Sequence, residues 1–146
     1  FSAFLRIARE SFDYIFLDAP AGVDAMFRLV SACADRIVLV TLPSPAAIRD
    51  ACRVGELLEL AGKRSVRLVV NRVSKGMLGS LRMTIDDVMD SAGLPLIGVV
   101  MEDAHVTLAA AFGNSLSEYA PRCSAARAFQ RIANLLQGFP EPMKLR

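Results

Sequence analysis

The chain alternates short apolar runs with longer amphipathic segments, and this alternation limits its fold more than any other feature. Runs rich in Val, Ile and Leu predict β-strands at Tyr14–Asp18, Arg36–Leu42, Val66–Asn71 and Leu96–Val100. The last three are expected to be buried on both faces. Helical spacing predicts α-helices at Phe1–Arg9, Asp24–Cys33, Pro45–Leu60, Ile85–Ser91, Ala104–Phe112 and Ser124–Leu136. Such alternation predicts an α/β fold, a three-layer αβα sandwich around a mostly parallel sheet.

Length and composition indicate one globular domain. The 146 residues are 53% apolar and 22% charged, which excludes a disordered chain. We expect residues 1–137 to form part of a single domain and residues 138–146 to form a short irregular tail. The chain begins with Phe1 and not Met, inside a predicted helix, so we expect it to be a piece of a longer protein.

The segment Phe12–Asp24, which reads F-D-Y-I-F-L-D-A-P-A-G-V-D, places an acid where a predicted strand ends. Asp18 would lie at the carboxyl edge of the sheet, where open α/β sheets bind their ligands. The turn that follows leaves main-chain N–H groups free to approach a ligand, and it consists of Ala19, Pro20, Ala21 and Gly22. Nucleotide hydrolases use this arrangement to hold magnesium and to sense a terminal phosphate. The alternative is an acid that only caps the next helix.

Four segments occur in an order and at separations that are typical of one protein family. They are D-Y-I-F-L-D-A-P-A-G-V at Asp13–Val23, A-D-R-I-V-L-V-T-L-P at Ala34–Pro43 with I-R-D-A-C-R at Ile48–Arg53, L-V-V-N-R-V at Leu68–Val73, and L-P-L-I-G-V-V-M-E-D at Leu94–Asp103 followed by G-N-S-L-S-E-Y at Gly113–Tyr119. With these segments, nearly the whole chain resembles the C-terminal portion of MinD-type septum-site-determining ATPases, in the MinD/ParA group of deviant P-loop proteins. The resemblance implies a P-loop NTPase-like sheet whose N-terminal part lies outside this sequence.

The resemblance assigns roles to particular residues. Asp18 would be the catalytic Walker B acid that holds Mg²⁺ through a water molecule, and the turn from Ala19 to Gly22 would be the switch that senses the γ-phosphate. The nucleotide base would be bound by Asn71, Arg72, Glu102 and Asp103. An Asn amide suits an adenine edge because it offers a donor and an acceptor together. For Asn71 the alternative is a turn residue that closes the strand.

The resemblance also assigns a surface and partners. Arg49 and Asp50 would lie on a dimer or partner surface, the alternative being a solvated helix face. The implied cofactors are ATP and Mg²⁺, and the implied partners are a second copy in the ATP state and regulatory division proteins of the Min system. The net charge of +2 is too small to indicate nucleic acid.

The expected location is the cytoplasm, with weak peripheral association at the inner face of the cell membrane. Family members end in a basic amphipathic helix, but Pro140 and Pro142 exclude a regular helix in the tail.

A Walker A loop is absent from the sequence. Lys75 and Gly76 follow a predicted strand but lack the glycine spacing and the lysine-hydroxyl ending of that motif. Without the loop nothing cradles the β- and γ-phosphates, so we predict that these 146 residues alone do not hydrolyse ATP, whereas the intact protein does. Two alternatives stay open: a ParA-like partitioning or flagellar-placement ATPase, and a degenerate scaffold without nucleotide.

The remaining reactive side chains predict no second centre. Cys33, Cys52 and Cys123 are far apart in the sequence and odd in number, which fits small buried residues in a reducing compartment. His105, the only histidine, is not expected to act as a metal ligand or general base, because no acid-serine or cysteine constellation accompanies it in the sequence.

Overall fold

The protein is described by a computed structural model that covers residues 1–74, 76 and 84–140, with the side chain of Ile85 left out. Within the chain two compact units are distinguished, Phe1–Ile37 and Val38–Arg146. The residues that link β2 to the helix beginning at Ile85 lie mostly outside the described residues, as does the end of the predicted tail from Glu141 onward. The expectation of a single domain over residues 1–137 stays a prediction.

The first unit contains two helices joined by a segment without helix or strand structure. Helix α1 spans Ser2–Ala8 and helix α2 spans Ala25–Cys33. Asp24 caps α2, since its side chain accepts a hydrogen bond of 3.0 Å from the Phe27 amide. Arg9 donates to Asp35 at 2.7 Å, which ties the end of α1 to the residues after α2.

The predicted strand Tyr14–Asp18 is wrong, because the segment has no assigned strand structure. A strand requires a neighbour that receives its hydrogen bonds, and within the described residues this segment joins no ladder. The segment is not covered on both sides, since Ile15 and Leu17 are half-buried whereas Phe16 is 88% exposed.

The second unit is built on a three-stranded sheet in the order β1-β2-β3. Strand β1 spans Ile37–Thr41, with its first residue assigned to the first unit, while β2 spans Val66–Val73 and β3 spans Leu96–Met101. Strands β2 and β3 pair in parallel, with Leu68 opposite Leu96 and Val70 opposite Val99. β3 is apolar throughout, and Leu68, Val69 and Val70 form a continuous buried apolar run in the middle of β2, which is typical of parallel strands covered on two sides.

Helices cover both faces of this sheet. Alternate residues of β2 point to opposite sides, so Leu68 and Val70 pack against α3 (Pro45–Leu60) and α4 (Ile85–Ala92), and Val69 packs against α7 (Ser124–Gln137). Two separate apolar cores result, one on each side of the strands. The predicted three-layer αβα arrangement is therefore confirmed. Burial of β1 on both faces is wrong, because Val38 and Val40 are exposed.

The helix boundaries follow capping chemistry. Helix α3 begins at Pro45, as predicted, behind the Ser44 cap, whose hydroxyl accepts from the Ala47 amide at 3.3 Å. Helix α5 spans Ala104–Ala111, and the short helix α6 at Leu116–Tyr119 was not predicted. None of the described helices is long and apolar enough to cross a membrane.

The three cysteines are free, as predicted, but they are half-buried and not buried. Cys123 is only half-buried because it caps a helix. Its sulfur accepts a hydrogen bond from the Ala126 amide at 3.3 Å, so the thiol lies at the start of α7 and not inside an apolar core.

Candidate functional site at the carboxyl edge of β2 and β3

A bulge in β2 shapes the carboxyl edge of the sheet. Val70 pairs with Val99 and Val73 pairs with Met101, so three steps along β2 match two along β3. The extra length lies at Asn71 and Arg72, and Arg72 adopts a left-handed backbone with φ of 55°. A non-glycine residue in this region is strained, and such strain is often found at functional sites.

The bulge also orients the Asn71 amide. Its Oδ1 accepts a hydrogen bond of 2.9 Å from the main-chain amide of Arg72. This bond leaves the Nδ2 donors and one further lone pair on Oδ1 available to a ligand. The amide is half-buried at the end of the strand, so part of it reaches solvent.

Arg72 connects the two strand ends. Its guanidinium donates to Glu102 Oε1 at 3.0 Å, and the Glu102 amide donates to the Val73 carbonyl at 3.0 Å. The side chains of Arg72 and Glu102 are 68% and 53% exposed, so the ion pair adds little to stability. The ion pair therefore keeps two charged side chains beside Asn71 and in contact with solvent.

Both carboxylate oxygens of Asp103 accept hydrogen bonds from other residues of the protein. Its Oδ1 accepts from the His105 amide at 3.1 Å and lies 2.7 Å from His105 Nδ1. Its Oδ2 accepts from Ser124 Oγ at 2.8 Å and from the amides of Ser124 and Ala125 at 3.1 and 3.3 Å. These hydrogen bonds, above all the one from the His105 side chain, hold the pKa of Asp103 well below its usual range. The carboxylate therefore joins the start of α5 to the start of α7.

The expectation that no acid-serine or cysteine constellation accompanies His105 is wrong. Asp103 and Ser124 form the network just described, and the ligand atoms of Asp103, His105 and Cys123 all lie within 4.8 Å of one another. The sequence Asp-x-His at the start of a helix could have predicted the contact between Asp103 and His105, because a capping acid and the second residue of the helix lie within one turn. No local signal relates Cys123 to them, since the contact is made across the fold.

The other predicted residues belong to other elements of the chain. Asp18 is exposed in the segment between α1 and α2 of the first unit, and the residues that follow it include Gly22 with φ of 115°. Arg49 and Asp50 are exposed on α3 in the second unit. Asn71, Arg72, Glu102 and Asp103 are brought together, whereas the convergence of Asp18 with Asn71 stays a prediction because the two lie in different units.

Thr41 anchors the turn between β1 and α3. It is 5% exposed, and its hydroxyl donates to the Ala47 carbonyl at 3.0 Å. The Thr-x-Pro segment at 41–43 is thereby fixed to the first turn of the helix that presents Arg49.

Fold and site together define an α/β protein of the P-loop ATPase type, with polar side chains gathered at the carboxyl ends of parallel strands. No protein-family model matches the chain. It is 41% identical over 137 residues to a putative septum site-determining protein MinD from Nephroselmis olivacea, covering 93% of this chain and 50% of that protein. It is also 31% identical over 139 residues to MinD from Bacillus subtilis, covering 94% of this chain and 52% of that protein.

A solved structure gives the same relationship. The MinC:MinD cell division protein complex from Aquifex aeolicus matches with a TM-score of 0.90 at 28% identity, over 98% of this chain and 59% of that one. The chain is thus a homologue of the MinD septum site-determining proteins, and the resemblance indicated by its motifs is confirmed. It spans about half the length of the curated relatives it matches.

Proposed function

We propose that this chain supplies the base-binding part of a MinD-like ATPase, which uses ATP binding and hydrolysis to regulate placement of the division septum. The bulge at Asn71 and Arg72 carries the proposal, since it presents an oriented amide at the sheet edge where α/β proteins bind nucleotides. Homology to MinD proteins over nine tenths of the chain supports the same conclusion.

Asn71 is the residue that reads the base. With Oδ1 accepting from Arg72, the amide still offers a donor to a ring nitrogen and an acceptor to an exocyclic amine. Adenine offers a ring-nitrogen acceptor beside an exocyclic amine donor, which complements this amide. Guanine carries a carbonyl oxygen in place of that amine and therefore does not. Arg72 and Glu102 flank the base and restrict its position, and Asp103 fixes the turn that carries Glu102.

Asp18 is the acid at the magnesium end of the nucleotide, and residues Ala19, Pro20, Ala21 and Gly22 are the γ-phosphate switch. Gly22 supports this role because its φ of 115° suits glycine, and the turn is exposed, so its amides are open to a phosphate. Asp18 would hold Mg²⁺ through water and thereby fix the phosphates for hydrolysis.

The partners follow from the relatives. We propose a dimer of this protein in the ATP state and a regulatory partner of the MinC kind, because MinC accompanies MinD in the Aquifex aeolicus complex. Arg49 and Asp50, exposed on α3, are the proposed contact surface. The proposed location is the cytoplasm, with peripheral contact at the inner membrane face.

The test uses the whole protein that carries this chain. Asn71→Ala is expected to weaken Mg-ATP binding about five- to 150-fold, which corresponds to two hydrogen bonds of about 0.5–1.5 kcal/mol each. Asp18→Asn is expected to abolish magnesium-dependent phosphate release while leaving nucleotide binding measurable. Asn114→Ala is the matched control, because Asn114 is an exposed amide in the segment after α5.

Two results would decide against the proposal, and a third would decide only against the predicted inactivity of the isolated chain. Wild-type protein without any ATP affinity would favour the scaffold alternative. Equal effects of Asn71→Ala and Asn114→Ala would remove Asn71 from the base pocket. Magnesium-dependent turnover by the 146-residue chain alone would contradict the prediction that hydrolysis needs a Walker A loop.

A further inference from the structure

The three side chains Asp103, His105 and Cys123 form a cluster of different donor atoms. Their ligand atoms, one carboxylate oxygen, one imidazole nitrogen and one thiol sulfur, lie within 4.8 Å of one another. They come from three positions in the fold: the turn after β3, the first turn of α5, and the residue that caps α7. The nucleotide site proposed above uses neither His105 nor Cys123.

We propose that Asp103, His105 and Cys123 bind a divalent cation of the zinc class. Sulfur, nitrogen and oxygen donors in one site are typical of Zn²⁺, whereas Mg²⁺ requires oxygen ligands and a nearly octahedral shell. Three protein ligands leave a fourth position of a tetrahedral ion for water or a ligand.

The geometry is close to what such an ion requires. Metal–ligand bonds of about 2.0–2.3 Å in a tetrahedral site place the donors roughly 3.3–3.6 Å apart. The Asp103–His105 pair, now at 2.7 Å, would open slightly as the ion replaces the proton between Oδ1 and Nδ1. Cys123 would approach by roughly one ångström through a small rotation.

The charges of the ligands and their hydrogen bonds favour the ion against the opposing field of two helix N-termini. Two helix N-termini meet here and carry partial positive charge, which disfavours a lone cation. A carboxylate and a thiolate together carry two negative charges and so neutralise a divalent ion. The Ala126 amide already donates to Cys123 Sγ at 3.3 Å, and the remaining Asp103 oxygen is held by Ser124 and Ala125, so both ligands are oriented by neighbours.

Cobalt is a suitable probe because Co²⁺ occupies zinc sites and shows a charge-transfer band when a thiolate binds it. The full chain, reduced and stripped with chelator, is titrated with Co²⁺ and then with Zn²⁺. We expect one equivalent of Co²⁺ to produce the thiolate band and one equivalent of Zn²⁺ to remove it. Cys123→Ser is expected to abolish the band, and His105→Gln is expected to weaken Co²⁺ binding at least about tenfold.

Cys52→Ser is the matched control, because Cys52 is a half-buried free cysteine on α3 outside the cluster. It should bind Co²⁺ as the wild type does. A band that survives Cys123→Ser, or one that disappears in Cys52→Ser, overturns the proposal.

A second measurement uses only the wild-type protein, so its result does not depend on whether a variant folds. Wild-type protein is alkylated with iodoacetamide with and without Zn²⁺, and the modified peptides are quantified by mass spectrometry. Zn²⁺ is expected to slow modification of Cys123 at least about tenfold while leaving Cys33 and Cys52 unchanged, and Mg²⁺ is expected to protect none of them. Equal rates at Cys123 with and without Zn²⁺ contradict the site. Because neither readout involves nucleotide, their failure is separate from failure of the proposed ATPase function.

Discussion

The Asp103 carboxylate accepts a 2.8 Å hydrogen bond from the Ser124 hydroxyl, and this contact joins the end of β3 to the first turn of α7 across 21 residues of sequence. Three main-chain amides, those of His105, Ser124 and Ala125, donate to the same carboxylate. One side chain thus satisfies the open amides at the starts of two helices, and its ionised form is the one that accepts these bonds.

Asp103→Asn is expected to lower the melting temperature at neutral pH, because an amide nitrogen cannot accept the donors that one carboxylate oxygen now receives. The effect should depend on pH. The pKa of Asp103 is lower in the folded protein than the unfolded value of about 3.9. Its stabilisation is therefore complete above that pH and is lost as the pH falls through the folded value.

Thermal melts of wild type and variant between neutral and strongly acidic pH test this prediction. The difference in melting temperature should be constant at neutral pH and should shrink below about pH 4. Asp90→Asn, an exposed acid on α4, is the control and should leave the profile unchanged. A difference that is independent of pH would show that the charge of Asp103 is not responsible.

Gly98 in β3 allows α7 to approach the sheet closely. A Cβ added at this position would lie 2.7 Å from Ile132 Cδ1, and Cγ1 of the same side chain is in the way as well. Gly98→Ala is therefore expected to destabilise the protein by roughly 1–3 kcal/mol through overpacking. The free energy of unfolding from urea titration measures the loss.

Two further variants test whether contact with Ile132 causes the loss of stability in Gly98→Ala. Gly76→Ala adds a methyl group where no heavy atom lies within 4 Å, so it should leave stability nearly unchanged. Ile132→Ala should cost less stability in the Gly98→Ala background than in the wild type, and this difference is the coupling energy between the two sites. Strictly additive effects would contradict direct contact between position 98 and Ile132.

The sequence predicts the sheet layers and most helix boundaries because these depend on local patterns. Helix α3 was predicted as Pro45–Leu60 and is observed there, since Ser44 and Pro45 define its start chemically. The strand predicted at Tyr14–Asp18 failed because an apolar run forms a strand only where a neighbouring strand pairs with it.

The site is only partly visible in the sequence for a related reason. Asn71, Arg72 and Glu102 follow from the resemblance, but the bulge that orients the Asn71 amide depends on the register between β2 and β3. Likewise, the sequence places Asp103 after β3 but gives no sign that Ser124 and Cys123 will meet it. Contacts between distant segments are decided by packing and not by local propensity.

Arg72→Gly is expected to increase stability by up to about 1 kcal/mol, because glycine adopts the left-handed backbone without the Cβ penalty. The lost ion pair with Glu102 is exposed and offsets little of this gain. Nucleotide binding should weaken in the same variant, since Arg72 flanks the proposed base pocket. Urea denaturation and ATP binding are measured side by side.

Arg67→Gly is the matched control for Arg72→Gly. Arg67 is also an exposed arginine of β2, but no left-handed backbone is found at its position, so glycine should destabilise the strand by roughly 0.5–1 kcal/mol. The two substitutions should thus change stability in opposite directions. If both substitutions destabilise the protein, the left-handed backbone at Arg72 carries no strain that glycine could relieve.

Thr41→Val keeps the shape of a buried side chain and removes the hydroxyl that donates to the Ala47 carbonyl and, at the longer distance of 3.4 Å, to the Leu42 carbonyl. The Thr41 hydroxyl donates to the Ala47 carbonyl at 3.0 Å, so the variant is expected to lose about 1 kcal/mol in the free energy of unfolding. Thr107→Val, at an exposed position of α5, should change stability by less than about 0.5 kcal/mol. If Thr41→Val were as stable as the wild type, the bond would not hold α3 to the turn after β1. The presentation of Arg49 would then depend on the Ser44 cap and on packing of Ile48 and Ala51 against the sheet.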